Sequence, residues 1–506
     1  MSTWPEPATI AAAWQRAVSE HPGRPFLTFE APDGSVADWS YDEFDIIVNR
    51  TIGKLRNCGV DAGSAVHLAL ANSPTFIAVW LAALRIGAWI VPSDPMGRAP
   101  ELADHIARTR PVVGFCAEAR VDTYREAAGS LQHVGIDEAD TRLCWLDGTA
   151  ESVAGSPRPE DRAAVMFTSG TTGRPKGVKI TQANYAYAGK AMAEASALSY
   201  DDRHIVVLPL FHANAQYYSF ASAIWVGASV ALMHSFSASG FLPQVARHRA
   251  TCASLFAAPM RMILARGEKT DGVALRHCWF AQNITEEQHA TLTEWLGCEP
   301  RQLYGMTETI PAVLTDTSSS PRCDSMGFVT QGCFVDLQGP DGAPVGPEEV
   351  GEIVVGGVRG QTLFAGYLDD LATTEASFRD GWFLTGDRAT RDIDGRWYFD
   401  GRRSDVLKVS GENVSTVEVE GVLAAHPGVL EASVVGAPDE VRDEVPVAFV
   451  VPSDPKAPPT AQELASWCAE RLSKPKVPRR FTLLDELPRT SVGKIRKFLL
   501  KEETTA

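Results

Sequence analysis

No two of the nine cysteines, at 58, 116, 144, 252, 278, 298, 323, 333 and 468, form a C-x-x-C pair. That absence argues against a zinc ribbon and against a thioredoxin-like redox motif. An odd, scattered set fits reduced thiols in a cytoplasmic protein. Long apolar runs are also missing. The longest, 77-IAVWLAAL-84, falls far short of the ~20 residues a spanning helix needs, so no stable membrane insertion is expected. The N-terminal stretch has no basic segment ahead of an apolar core, so no signal peptide is read. Positive charge is scarce: 47 Lys and Arg face 63 Asp and Glu, a formal net charge of -16. An acidic excess of this size argues against a nucleic-acid partner or a general anionic-membrane binder. It leaves room for a local basic pocket around a phosphorylated ligand. Neither internal repeats nor low-complexity tracts occur.

What is present is an ordinary globular composition, 45% apolar and 22% charged, over 506 residues. That length exceeds what one core usually serves, so at least two domains are expected. In 73-SPTFIAVWLAALRIGAW-89, Ile77, Trp80, Leu81 and Leu84 mark a helix face. Short β-rich runs at 204–210, 228–233, 252–258 and 350–357 alternate with helix-like segments, the pattern of an α/β protein with mainly parallel sheets. The last hundred residues differ. Two strand-like runs, 431-EASVVG-436 and 445-VPVAFVVP-452, precede a Pro-rich break and an amphipathic helix with Leu464, Trp467, Cys468 and Leu472 inward. This predicts a separate α+β domain of ordinary size. The boundary is placed at 401-GRRSD-405, giving domains at 1–402 and 406–506 with a hinge at 403–405.

The segment 168-TSGTTGRPKG-177 follows the apolar run 163-AAVMF-167. Thr168, Ser169, Thr171 and Thr172 supply hydroxyls, Gly170, Gly173 and Gly177 allow a tight backbone, and Lys176 supplies charge. Convergent N–H groups, hydroxyls and a lysine suit a phosphate. The loop is not a Walker A motif, because Lys176 is followed by glycine instead of the magnesium-binding Ser or Thr. Taken alone, such a cluster also describes a plain surface loop.

The stretch MFTSGTTGRPKGV resembles the signature of the AMP-forming adenylating enzymes, the superfamily of acyl-CoA synthetases, peptide-synthetase adenylation domains and luciferases. Four further segments match in the family's order. They are 304-YGMTET-309, 384-LTGD-387, 401-GRRSDVLKVSGENVS-415 and 487-LPRTSVGKIRK-497. The resemblance spans nearly the whole chain. It implies a large N-terminal domain of stacked, mainly parallel αβα sheets with a β-barrel-like subdomain, and a small mobile C-terminal domain. It also implies that residues 168–173 and Lys176 cover the β- and γ-phosphates of ATP. Tyr304 would stack on adenine, Thr307 would meet the α-phosphate and Glu308 would bind Mg²⁺. Asp387 would hold the ribose, Arg402 the ribose or phosphate, and Gly411 would line the thiol channel. Lys494 would be the catalytic lysine. The family's hinge residue is usually Asp or Lys, where this chain has Ser404. Each segment alone has a plainer reading, such as a helix cap, a turn aspartate or a solvated charge pair. The set and its order carry the assignment.

The stretch 208-LPLFHANAQYYS-219 resembles the family's acyl-pocket motif, which puts His212, as a catalytic residue, near the substrate carboxylate and the thiol entry, and Phe211 in the pocket. A core histidine bonded to backbone is the alternative for His212. Asn214 and Gln216, two residues apart, are expected on one side of a strand. Gly305 and Met306 would border the same pocket. Where the family has a small glycine-rich turn, this chain has Ala281, Gln282 and Asn283. Added side chains there disfavour a long fatty chain and favour a small, polar or aromatic acid. The overall texture looks nearest to crotonobetaine/carnitine-CoA ligase-like enzymes. A quaternary ammonium would want an aromatic cage, for which Trp279, Tyr217 and Tyr218 are candidates. The basic cluster 471-RLSKPKVPRR-480 is read either as a solvated face or as a contact for coenzyme A phosphates.

The expected activity is thus activation of a small or polar acid by ATP and Mg²⁺, followed by transfer to coenzyme A. Two alternatives remain open. The same adenylation could serve another acceptor, as in ATP-dependent diazotases that activate nitrite for an aryl amine, or in carrier-protein loading. Alternatively, the chain could be a non-catalytic nucleotide-binding scaffold. Either a monomer or a homodimer is compatible with the sequence.

Overall fold

A computed structural model describes residues 9–146, 151, 156–168, 175–402, 406–409, 412–439, 443–489 and 495–505. Two large sheets dominate. One has nine strands, and its central members Pro25–Glu30, Ser229–Met233, Arg203–Val206, Cys252–Phe256, His277–Ala281 and Arg301–Tyr304 run parallel. The other has seven strands, including Ala65–Ala69, Trp89–Pro92 and Arg162–Thr168 in parallel. Lys176–Thr181 and Gly366–Tyr367 close that sheet antiparallel.

The two sheets share one core with the helices Pro74–Ile86 and Gln182–Ala195. Ile77, Trp80, Leu81 and Leu84 are buried as the periodicity predicts, but so is every other residue of the first helix except Arg85. A helix buried on all sides needs apolar residues all round, which 74-PTFIAVWLAAL-84 provides. Its Ser73 caps the N-terminus, and Gly87 ends it in a left-handed conformation.

A third sheet is antiparallel: Phe334–Gln338, Gly351–Gly356, Phe378–Arg379, Trp382–Arg391 and Trp397–Arg402. It carries its own small core of Leu337, Ile353, Ala389 and Trp397. The run at 350–357 therefore belongs to an antiparallel sheet.

Trp397–Arg402 is the last strand of that sheet, and Val406–Val409 belongs to a new one. The new sheet is built on the long hairpin Val429–Asp439 and Asp443–Pro452, both faces of which are covered. Val434, Ala448 and Val450 pack with Leu464 and Cys468 on one face. Val435, Val447 and Phe449 pack with Leu487 and Leu500 on the other. Such two-sided burial explains why Val445–Val451 reads as a continuous apolar run instead of an alternating one. Trp467 and Leu472 are only partly buried, and the Trp467 indole donates to the Val422 carbonyl.

All nine cysteines are free thiols. Among the described residues no helix is long and apolar enough to cross a membrane, and no group of three potential ligands could alone hold a metal ion.

Candidate functional site

The site draws on three sheets: Thr168, Tyr304 and Arg402 end their strands, Lys176 opens one, and Asp387 lies within one. Arg162–Thr168 and Lys176–Thr181 are paired up to Thr168 and Lys176. They therefore form the base of the Gly-rich segment. The Thr168 hydroxyl faces the Lys176 carbonyl at 3.5 Å. Ser169, Gly170, Thr171, Thr172 and Gly173 lie outside the described residues, as do Gly411 and Lys494.

From Lys176 a line of contacts runs inward. Its ammonium sits 4.8 Å from the centre of the Tyr367 ring. The Tyr367 hydroxyl donates to Glu308 Oε1 at 3.1 Å. Glu308 is 4% exposed and lies in the single 3₁₀ turn Thr307–Thr309. Burial and the Glu308 carboxylate together hold the Tyr367 phenol well above its ordinary pKa, so it stays a donor.

The turn is fixed from outside. Asn184 Nδ2 donates to the carbonyls of Gln361 and Leu363 at 2.7 and 2.9 Å. The next residue, Phe364, donates its N–H to the Glu308 carbonyl at 2.9 Å. Asn184 also completes the capping box with Thr181, so one helix N-terminus ties the phosphate-loop strand to the Glu308 turn.

Gly305 has to be glycine. A Cβ there would lie 2.8 Å from the Pro311 carbonyl oxygen, 2.9 Å from Ala312 Cα and 3.0 Å from the Tyr218 hydroxyl. Ile310, buried and β-branched, holds φ at 70°. Left-handed backbone in such a residue is strained and is tolerated where surroundings dictate it.

A second cluster surrounds Asp387, whose side chain is 6% exposed. Tyr304 Oη donates to Oδ2 at 2.7 Å and Arg402 Nε to Oδ1 at 3.0 Å. Asp387 and Arg402 are register partners on adjacent strands, which fixes the pair through the backbone. A buried carboxylate with bonded neighbours keeps spare lone pairs for further hydroxyl donors. Burial and the Asp387 charge raise the Tyr304 pKa well above normal.

The acyl-motif residues depart from the sequence reading. Asn214–Ala221 is a π-helix, not a strand. Asn214 and Gln216 therefore point to different sides. Gln216 accepts from Tyr185 and donates to the Leu210 carbonyl at 2.5 Å, which makes it a packing residue. Asn214 is 6% exposed, and neither of its amide atoms has a hydrogen-bond partner among the described residues. His212 packs beside Phe211, ring centres 4.4 Å apart. Trp279 is fully buried, and its indole donates to Ser196 Oγ at 2.9 Å.

Ala281 ends its strand. Gln282 takes φ of 74° although it is not glycine, a conformation costing about 1–2 kcal/mol with a side chain. Asn283 Oδ1 accepts from Gln302 at 2.9 Å, and its carbonyl accepts from Arg261 at 2.8 Å. Arg261 also lies close enough to Arg489 for their charges to interact, and this, after burial, holds Arg489 down at about 10. Arg489 pairs with Glu431 and with Ile495 across residues 490–494. The base of the lysine motif thus faces the 281–283 segment.

The residues fit the expected ligands. Asp387 suits a sugar diol. Glu308 is a lone buried carboxylate, which suits Mg²⁺, an ion usually held by one or two carboxylates together with substrate phosphates and water. Tyr367 and Asn184 were not singled out from sequence, since an isolated Tyr or Asn carries no spacing signal.

This arrangement, with the base of a Gly-rich loop, a buried carboxylate at Glu308 and a bonded one at Asp387, is compatible with an ATP-using adenylating enzyme. Residues 14–368 match the AMP-binding enzyme family, and residues 418–494 match the AMP-binding enzyme C-terminal domain. A crotonobetaine/carnitine–CoA ligase of Salmonella arizonae is 32% identical over 96% of this chain and 98% of its own. The fold is also that of an anthranilate CoA ligase in complex with anthranoyl-AMP, with a TM-score of 0.90 at 24% identity over 99% of this chain and 98% of that one. An O-succinylbenzoate coenzyme A synthetase from Bacillus subtilis in complex with AMP is 28% identical, with a TM-score of 0.84 over 97% of this chain and 98% of that one. The chain belongs to the AMP-binding enzyme family, and it is an AMP-forming acid–thiol ligase.

Proposed function

We propose that this chain activates a small or polar carboxylic acid as its acyl-adenylate and transfers the acyl group to coenzyme A. The carrying observation is the Lys176–Tyr367–Glu308 line ending beside the Tyr304–Asp387–Arg402 cluster. Together they offer an ATP molecule a phosphate end and a sugar end.

A carboxylate is a poor electrophile. In the first step a carboxylate oxygen bonds to the α-phosphorus of ATP while the α–β anhydride bond breaks and pyrophosphate leaves. In the second, the thiol sulfur attacks the acyl carbon, the bond from that carbon to the phosphate oxygen breaks, and AMP departs. The thiol proton passes to solvent.

The chain's part is positioning and charge screening. Asp387 holds the ribose and Tyr304 the adenine. Lys176 and the Gly-rich segment receive the leaving phosphates. Glu308 would hold Mg²⁺, which neutralises phosphate charge. Lys494 is the catalytic lysine of the first step, and residues 403–405 are the hinge that withdraws it before the second. The enzyme acts in the cytoplasm as a monomer or homodimer.

The test is pyrophosphate release with Mg-ATP and a panel of short aliphatic, betaine-like and aryl acids and nitrite, each with and without coenzyme A. A thioester formed from one acid class supports the reading. Release that ignores coenzyme A moves the acceptor to an amine or a carrier protein.

A further inference from the structure

Asn214 opens the π-helix and is more than nine-tenths buried, yet its Oδ1 and Nδ2 have no hydrogen-bond partner among the described residues. Leaving a buried amide unsatisfied costs roughly 1–3 kcal/mol per group. Its neighbour Gln216 shows that this helix can give both the oxygen and the nitrogen of an amide a partner. A π-helix has about 4.4 residues per turn, given its i→i+5 bonds. Asn214 therefore shares a helix face with Tyr218, one turn on. Tyr218 shows where that face looks, since its hydroxyl would lie 3.0 Å from a Cβ on Gly305. Gly305 joins Tyr304, of the Asp387 cluster, to the turn that carries Glu308.

We propose that Asn214 is the specificity residue of this ligase. It reads a neutral hydroxyl or amino substituent on the acyl group, at a distance from the carboxylate that is activated. A primary amide presents one acceptor and two donor hydrogens. Its complement is a group that both donates and accepts, which a hydroxyl or an uncharged amine does. An alkyl or unsubstituted aryl group would leave both amide atoms unpaired. A quaternary ammonium neither donates nor accepts, so it too would leave both amide atoms unpaired. The proposal rests on the adenylating-ligase reading and adds the substrate's second functional group.

The test uses matched pairs of non-hydrolysable acyl-adenylate mimics, hydroxybenzoyl- against benzoyl-sulfamoyladenosine and the aminobenzoyl analogue. Binding is measured by calorimetry on the full chain and on Asn214→Leu, an apolar replacement with the same branching and number of heavy atoms. The wild type is expected to bind a substituted mimic about tenfold or more tighter than the benzoyl one. Asn214→Leu is expected to lose that preference, and its melting temperature in the absence of ligand should rise, because two unpaired polar atoms are gone. Asn214→Ala serves if the leucine variant fails to fold, and loss of preference is expected there too. Equal binding of all mimics by the wild type, or a preference that survives in the variants, overturns the role of Asn214 while leaving the ligase reading intact. Failure of every mimic to bind, with no pyrophosphate release from any acid, overturns both.

Discussion

Tyr367 offers the sharpest probe of the site, because one atom separates two of its functions. Its ring lies under Lys176, and its hydroxyl holds Glu308. Tyr367→Phe removes the oxygen and keeps the ring. A hydrogen bond to a charged group contributes about 1.5–3 kcal/mol, and each 1.4 kcal/mol is tenfold. If the bond orients Glu308 for Mg-ATP, kcat/KM for Mg-ATP should fall by about 10- to 150-fold. The free Mg²⁺ concentration needed for half-maximal rate should rise as well. Tyr367→Leu also removes the ring beneath the ammonium, worth about another 0.5–1 kcal/mol at a partly exposed site. The assay is pyrophosphate release over a grid of ATP and Mg²⁺ concentrations, with thermal melting as a fold control. A phenylalanine variant with wild-type Mg²⁺ dependence, or one indistinguishable from leucine, would refute the reasoning.

Gly305→Ala should depress pyrophosphate release at least about a hundredfold, because its Cβ meets backbone on one side and Tyr218 on the other; activity within threefold of wild type would contradict the close approach. Asp202 lies away from the site, where Arg276 bonds both its carboxylate oxygens at 2.6 Å and Thr251 donates at 2.8 Å. Asp202→Ala should cost about 1.5–3 kcal/mol in urea unfolding with the KM for ATP unchanged, and a shifted KM would mean the pair serves the site. Burial holds His67 and His105 down at about 3 and about 4, from an ordinary 6.5. Native and unfolded states are both neutral there above pH 6.5, but below it only the unfolded chain takes up protons. Stability is therefore lost as pH falls from 6.5, by about 2 kcal/mol per histidine at pH 5. A flat urea midpoint over that window, or an unaltered slope in His105→Gln, would contradict it. Lys494→Ala should abolish adenylate formation yet largely spare thioester formation from preformed adenylate, and equal loss of both steps would sink the two-state assignment.

The residues proposed for the nucleotide were legible because they sit in short contiguous motifs. Tyr304, Glu308 and Asp387 were found this way, and the structure brings Tyr304 and Asp387 into direct contact across 83 positions. The acyl side was less legible. A π-helix has no propensity signal distinct from its neighbours, and its residues 214-NAQYYSFA-221 show neither helical amphipathicity nor a breaker. An expected period of two therefore put Asn214 and Gln216 together, whereas the wide helix sends one to the packing and the other toward Gly305. Tyr367 and Asn184 act on Glu308 through a single bond or through backbone. Such support depends on tertiary placement, which local pattern does not encode. The helix Pro74–Ile86 shows the converse: its periodic face was found, but its remaining sides are buried too because other helices as well as strands pack around it.

One contact links the substrate to the chain's own architecture. Arg402 is the final residue of its strand, directly ahead of residues 403–405, and its guanidinium is bonded to Asp387. A ribose placed on Asp387 would draw on the same oxygens that tether this strand end. Occupancy of the sugar seat would then be felt as tension at the point where one sheet hands the chain to the next. Loss of AMP would leave the carboxylate to Arg402 and Tyr304, the two partners it has here.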